Sequence, residues 1–238
     1  MPIETLQNAF SELGISNDYT VLNKFRQYME MILEWNEKIN LTAITEEEEF
    51  IKKHYIDSVI CYSFPELKKA KTIIDVGTGG GFPGIPLALL FPEKQFILMD
   101  SLQKRLKVID DLACKLEIKN VKTLHGRAED LAHAKEHREA YALCVSRAVA
   151  NLSTLSEYCI PFIKKGGSFL AYKGIKAEEE IKEAQSAIVL LGGKFLREEQ
   201  VPLSEYDLDH HIIVIEKIGG TPAKYPRKAG TPSKEPLK

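Results

Sequence analysis

Between residues 72 and 218, short apolar runs alternate with stretches whose apolar positions recur at helical spacing. Thr72-Ile73-Ile74-Asp75-Val76 is almost wholly apolar, as a strand covered on both faces of a parallel sheet must be. Gln95 to Asp100, Val121 to Leu124, Tyr141 to Ser146 and Ser168 to Tyr172 predict four more strands. The segments between them read as helices: Pro83 to Leu90, a stretch with Leu102, Leu106, Ile109 and Leu116 inward, Leu152 to Ile163, and Ala177 to Leu191, which Gly192-Gly193 stops. Phe195 to Leu203 and His211 to Ile218 predict two further strands too close together for a helical crossover, so they must pair antiparallel. Ahead of the first strand, Val21, Leu22, Phe25, Met29, Ile32 and Leu33 predict an amphipathic helix over 18–35, with Asn17 or Asp18 as its cap. The pattern implies an α/β fold: a seven-stranded, mostly parallel sheet with a terminal antiparallel hairpin and helices on both faces.

The first strand runs directly into Gly77-Thr78-Gly79-Gly80-Gly81-Phe82. Alternate glycines are needed where a ligand lies against the backbone, and this turn sits at the carboxyl end of the strand, where open α/β sheets bind ligands. Gly79-Gly80-Gly81-Phe82-Pro83-Gly84 formally matches the dinucleotide pattern G-x-G-x-x-G, but the register is wrong: the glycine that follows the strand is Gly77, and Pro83 has no N–H to offer a diphosphate. Gly77-x-Gly79-x-Gly81 follows the acidic Asp75, which suits a ligand carrying positive charge and repels a diphosphate. S-adenosylmethionine, with a sulfonium and an ammonium, meets that condition and NAD does not. Asp100 closes the second strand about twenty residues later, where a carboxylate accepts from ribose hydroxyls. Arg127-Ala128-Glu129-Asp130 follows the third strand; Glu129 or a neighbouring backbone group borders the adenine edge, unless Glu129 and Asp130 only cap a helix.

Composition narrows the class without naming it. The net charge of −2 is no global footprint for nucleic acid, yet residues 219–238 carry five Lys/Arg against one Asp/Glu, among prolines and small residues. Such a tail reads as flexible, and able to order on a phosphate backbone. Cys61, Cys114, Cys144 and Cys159 show no C-x-x-C spacing and read as reduced thiols of a cytoplasmic protein. No leader and no membrane-spanning run is expected. His133-x-x-Glu136-His137 has the inverted zinc-protease spacing but lies in a charged connector with no third ligand near, so no metal is expected and a solvated linker is the better reading. His210-His211 reads as a cap or a solvent-facing pair, and no G-x-x-x-x-G-K-[ST] is present.

Asp75-Val76-Gly77-x-Gly79-x-Gly81, Asp100 and Lys165-Gly166-Gly167 resemble a class I S-adenosylmethionine-dependent methyltransferase, with its Rossmann-like fold. Trp35-Asn36-x-Lys38-Ile39-Asn40-Leu41-Thr42, His54-x-x-Asp57-Ser58, Gly79-x-Gly81-Phe82-Pro83-Gly84, Arg127-Ala128-Glu129, Ser146-Arg147-Ala148-Val149 and the tail Pro222-x-x-Tyr225-Pro226-Arg227-Lys228 together resemble the ribosomal RNA small subunit methyltransferase G family, over nearly the whole chain. The resemblance implies methyl transfer from S-adenosylmethionine to N7 of a guanine in 16S ribosomal RNA, in the 530 loop near the decoding centre, by a cytoplasmic monomer. A methyltransferase for a small molecule or protein is the alternative. It assigns Asp75, Gly77, Gly79, Gly81, Phe82, Asp100, Ala128, Glu129 and Arg147 to the cofactor, with Arg147 open to a substrate role as well. Asn40 and Lys173 are the substrate candidates, and no residue is expected to act as a covalent or acid–base catalyst, because N7 carries no proton. The expected organisation is a helical extension over 1–66 packed on the core, a methyltransferase domain over 67–218, and a basic flexible tail over 219–238.

Overall fold

The computed structural model describes residues 2–200, 206 and 210–238. Seven strands form one sheet in the order β3-β2-β1-β4-β5-β7-β6. They are β1 (Thr72–Val76), β2 (Gln95–Asp100), β3 (Val121–His125), β4 (Tyr141–Arg147), β5 (Ile163–Lys173), β6 (Gly193–Gln200) and β7 (His211–Lys217). The first five are parallel; β7 pairs antiparallel with both β5 and β6. The expected sheet and hairpin are therefore present, though the end of the strand read from Phe195 to Leu203 lies outside the described residues.

Side-chain alternation divides the interior into two layers. Ile73, Leu143, Val145, Leu170, Ile212 and Val214 face one layer, while Ile74, Cys144, Phe169, Ala171, Ile213 and Ile215 face the other. The first is covered by α1 (Pro2–Glu12), α2 (Tyr19–Asn36), α3 (Glu47–Phe50), α4 (Asp57–Val59), α5 (Pro65–Lys69), α6 (Gly84–Leu90) and α7 (Gln103–Lys115). The second is covered by α8 (Ala128–Leu131), α9 (Leu152–Cys159) and α10 (Ala177–Leu190). Asp18 caps α2 by accepting from the Val21 N–H at 3.1 Å, and Leu22, Phe25, Met29 and Ile32 are buried as its periodicity requires. The helix expected over 152–163 ends at Cys159 because Pro161 has no N–H to continue it, and a single tight turn leads into a β5 that begins before the Gly166-Gly167 pair.

Two features join the first layer to the loop after β1. Edge-to-face ring contacts run from Phe10 to Phe25 (5.4 Å), Phe25 to Tyr55 (4.9 Å), Tyr55 to Phe50 (5.2 Å) and Phe50 to Phe82 (5.6 Å), each worth about 0.5–1.5 kcal/mol beyond burial. Between α3 and α4, residues Ile51–Ile56 form a π-helical segment, a geometry that recurs at functional sites.

The flexible tail expected over 219–238 is corrected. It packs on the second layer and ends in α11 (Thr231–Lys234), with Thr221, Tyr225 and Pro232 buried. Arg138 donates to the carbonyls of Thr221 and Tyr225, Thr154 to that of Pro232 at 2.9 Å, and His133 lies 2.8 Å from that of Pro226. Arg227 forks onto Glu157, whose carboxylate is fully buried. The connector around His133 is corrected too: His133 holds the tail and His137 sits 2.7 Å from the Tyr141 hydroxyl, so neither side chain is merely solvated. His210 and His211 likewise face carboxylates, those of Asp57 and Glu198.

Candidate functional site

The carboxyl ends of β1, β2 and β4 converge on a cavity of about 340 Å³. Gly77 at its wall has φ +78°, and a Cβ there would stand 2.5 Å from Val149 Cγ2, so no side chain fits. A Cβ at Gly81 (φ +93°) would meet the Tyr28 hydroxyl at 2.5 Å. The turn is tied down by the N–H groups of Gly77 and Thr78 on the Met99 carbonyl, and by Tyr28 on the Gly80 carbonyl at 2.9 Å.

Asp75 does not line this cavity. Fully buried, it holds the turn from beneath: Oδ2 accepts from the Thr78 hydroxyl at 2.7 Å and the Gly84 N–H at 2.9 Å, while Oδ1 is buried with no hydrogen-bond partner among the described residues. Burial pushes its carboxyl up to about 7 despite those two donors. Asp100 does line it, accepting from the Gly79 N–H (3.0 Å) on Oδ2 and the Leu102 N–H (2.8 Å) on Oδ1. Each oxygen keeps a second acceptor position, which is what a pair of ribose hydroxyls requires. Ala128 and Glu129 line the far end with Tyr158, and Glu129 Oε1 is fixed by the Gly230 N–H of the tail at 3.0 Å. Arg105, on α7, also lines the cavity and has a buried Nε with no hydrogen-bond partner among the described residues.

A second cavity of about 420 Å³ lies across Ala148 from the first, lined by Lys53, His54, Asp57, Arg147, Tyr172, Lys173 and His210. Ala148 itself is left-handed, φ +55°, a conformation costly for a residue with a Cβ. Arg147 opens here and not into the first cavity. Its Nη1 donates to Asp57 Oδ2 and, at 2.6 Å, to the Lys53 carbonyl; its Nη2 donates to His54 Nδ1 at 3.0 Å. Lys173 donates to the Ala150 carbonyl at 2.5 Å and pairs with Glu180 at 2.7 Å. Asp57 is buried, which alone would raise its carboxyl, but Arg147 and His210 outweigh this and hold it below its ordinary value. His54 is pushed down to about 3 by burial and by Arg147, so it is neutral, with its Nε2 2.7 Å from the Thr42 hydroxyl.

Of the residues expected at the cofactor, Gly77, Asp100, Ala128 and Glu129 line the first cavity. Asp75, Gly79 and Gly81 shape the turn, Phe82 is buried behind it with its ring stacked 4.4 Å from that of His54, and Arg147 belongs to the second cavity. Lys173 is in that second cavity, and Asn40 is exposed and lines neither. The sequence reading missed Arg105, Tyr158 and the Asp57–His210 contact; only the spacing His54-x-x-Asp57 was visible, without a role.

The residues fit S-adenosylmethionine. Among the described residues, the crevice admits no Cβ at Gly77, Asp100 offers paired acceptor positions, and a carboxyl oxygen of Asp75 without a partner lies under the turn. Sheet order, glycine turn and carboxylate together define a class I S-adenosylmethionine-dependent methyltransferase. Solved structures agree on the fold: a SAM-dependent methyltransferase from Aquifex aeolicus superposes with a TM-score of 0.55 at 16% identity, covering 71% of this chain and 93% of that one. A SAM-dependent O-methyltransferase from Thermotoga maritima gives 0.53 at 14% identity, covering 80% and 72%. The family model for rRNA small subunit methyltransferase G matches residues 21–207. Proteins of that name from Clostridium tetani and Clostridium novyi are 53% identical over 235 residues (99% of this chain, 98% of the relative) and 51% identical over 215 (90% and 88%). The chain belongs to the ribosomal RNA small subunit methyltransferase G family.

Proposed function

We propose that this chain methylates N7 of a guanine in 16S ribosomal RNA, in the 530 loop near the decoding centre, acting as a cytoplasmic monomer. Among the described residues no helix is long and apolar enough to cross a membrane, and the family's name specifies the small-subunit RNA. Residues 1–66 form a substrate shelf on the domain over 67–218, and Asn40 lies exposed on that shelf as an RNA contact.

The observation that carries the choice of atom is the state of the second cavity. The two buried proton-accepting side chains of its wall are committed: His54 Nδ1 to Arg147, and Asp57 to Arg147 and His210. Alkylating an amine or hydroxyl requires a base to take up a proton; a ring nitrogen with a free lone pair does not. The wall also carries Lys53, Arg147 and Lys173, each paired with a carboxylate (Glu49, Asp57 and Glu180), whose remaining N–H groups can donate to phosphate or base oxygens.

S-adenosylmethionine supplies an electrophilic methyl on a sulfonium that departs as a neutral thioether. In the proposed reaction Asp100 would hold the ribose and Ala128 and Glu129 the adenine edge, while Asp75 holds the glycine turn from beneath. Arg147 and Lys173 orient an unstacked nucleotide from the acceptor side. The chain contributes placement and exclusion of water, which together account for about 7–11 kcal/mol in well-oriented reactions. The test is incubation with labelled S-adenosylmethionine and small subunits from a strain lacking the protein, with the modified base mapped by mass spectrometry. Label on guanine N7 of that loop is expected; label on another atom, or on protein, removes the assignment.

A further inference from the structure

We propose that Asp57 is a positioning residue that, with His54 and the Lys53 carbonyl, sets the guanidinium of Arg147 toward the acceptor. This rests on the reading of the second cavity as the acceptor site. The side chain of Asp57 is 1% exposed and that of Arg147 13%, so the pair is largely withdrawn from water while one edge of the guanidinium still faces the cavity.

Three of the five guanidinium N–H groups are committed, to Asp57 Oδ2, the Lys53 carbonyl and His54 Nδ1. Among the described residues the other two, on Nε and Nη2, have no partner, which leaves them for a ligand. The π-helical segment is what makes the cradle possible. The Asp57 N–H reaches the carbonyls of Lys52 and His54 and skips that of Lys53, and Arg147 Nη1 donates to the carbonyl so spared. A regular α-helix would have bonded the Lys53 carbonyl to that same Asp57 N–H.

His54 contributes direction. Its ring lies parallel to Phe82 (interplanar 5°), and the Arg147 guanidinium carbon stands 5.6 Å from the centre of the same Phe82 ring. With the proton on Nε2 toward Thr42, Nδ1 presents its lone pair to Arg147 Nη2. His210, 2.6 Å from the other Asp57 oxygen, buttresses the carboxylate from the β7 side. Among the described residues every polar group that fixes Arg147 comes from residues 53–57, although Arg147 itself ends β4. The segment ahead of the sheet therefore determines how the sheet's arginine meets the acceptor.

The test uses the full chain with small subunits, measuring steady-state methylation and, separately, affinity for S-adenosylhomocysteine by calorimetry. Asp57→Asn keeps the shape of the side chain and removes its charge; kcat/KM for the subunit is expected to fall on the order of 10–100-fold, with S-adenosylhomocysteine affinity within about twofold. In an Arg147→Ala background the same substitution is expected to have almost no further effect, because the residue it positions is gone. His54→Asn, whose amide oxygen replaces Nδ1 as acceptor, is expected to lose less than His54→Leu, which covers the case of an Asp57 variant that fails to fold. Additive losses, a parallel loss of S-adenosylhomocysteine affinity, or equal effects of the two His54 variants would overturn the proposal. Wild-type protein that leaves the subunit unmethylated would instead remove the acceptor reading, and this inference with it.

Discussion

Replacing Arg227 with alanine tests whether the carboxyl-terminal segment is part of the fold. Arg227 Nη2 lies 2.8 Å and Nε 3.2 Å from Glu157 Oε2, and Nε also lies 3.0 Å from Oε1, while Glu157 is fully buried. Removing one partner of a buried pair costs about 3–5 kcal/mol, because the remaining charge has no counterpart. The Arg227 backbone N–H, 2.7 Å from Oε1, survives the substitution and places the loss at the lower end, about 3 kcal/mol. For a chain of this size each kcal/mol moves Tm by about 2–4 °C, so a drop of about 6–12 °C is expected. Circular dichroism melting of the ligand-free protein measures it. Glu157→Leu combined with Arg227→Leu is expected to recover most of the loss, since it leaves no unpaired charge. A fall of less than about 2 °C for Arg227→Ala would refute the reasoning, because the segment would then be a loosely held tail whatever its contacts. Because Gly230 of the same segment fixes Glu129 in the first cavity, the variant is also expected to weaken S-adenosylhomocysteine binding well below its Tm.

Gly77→Ala forces a Cβ into a left-handed position against Val149 Cγ2 and is expected to weaken cofactor affinity at least tenfold (about 1.4 kcal/mol) by calorimetry; unchanged affinity would place the ligand elsewhere. Asp100→Ala is expected to cost about 1–3 kcal/mol of cofactor affinity, since it removes the ribose acceptor and strips the Gly79 and Leu102 N–H groups of theirs. Asp75 and His54 predict opposing pH dependences. Asp75, raised to about 7, holds a proton in the folded chain that the unfolded chain releases near 3.8, so its contribution to stability declines as pH rises between those values. His54, lowered to about 3, stays neutral where the unfolded chain protonates below 6.5, so its contribution is lost as pH falls through that window. Asp75→Asn is expected to unmask the His54 slope, giving a Tm that falls more steeply from pH 6.5 toward 4 than that of the wild type; identical profiles would show that Asp75 is already ionised in the fold.

The sheet was legible because its strands are covered on both faces, which leaves runs such as Ile73-Ile74 and Leu143-Cys144-Val145 with no polar position to confuse the period. The turn after β1 was legible for a related reason: positive φ at Gly77, Gly79 and Gly81 restricts the residue type, so conformation is written directly into composition. The carboxyl-terminal segment was not legible. What holds it is mostly its own backbone carbonyls, which accept from Arg138, Thr154 and His133, and a carbonyl has no letter in the sequence. Proline and lysine then give the composition of an unfolded chain, although Pro232 is buried and its carbonyl accepts from Thr154 of α9.

Arg147 shows why a site residue can be identified without its partner cavity being identified. Its position at the end of β4 follows from strand periodicity, and that position borders both cavities through Ala148. Which one it serves depends on where the guanidinium is pulled. That is decided by Asp57, about ninety residues earlier, and by a π-helical register that no propensity scale encodes. A buried carboxylate is a poor source of net stability, since desolvation offsets much of its attraction for a cation. It is a strong source of direction, because the unpaired alternatives are worse than the paired one. Asp57 is therefore better explained by the orientation it imposes on Arg147 than by any stability it adds, and the fold maintains it by supplying His210 and the neutral His54 alongside.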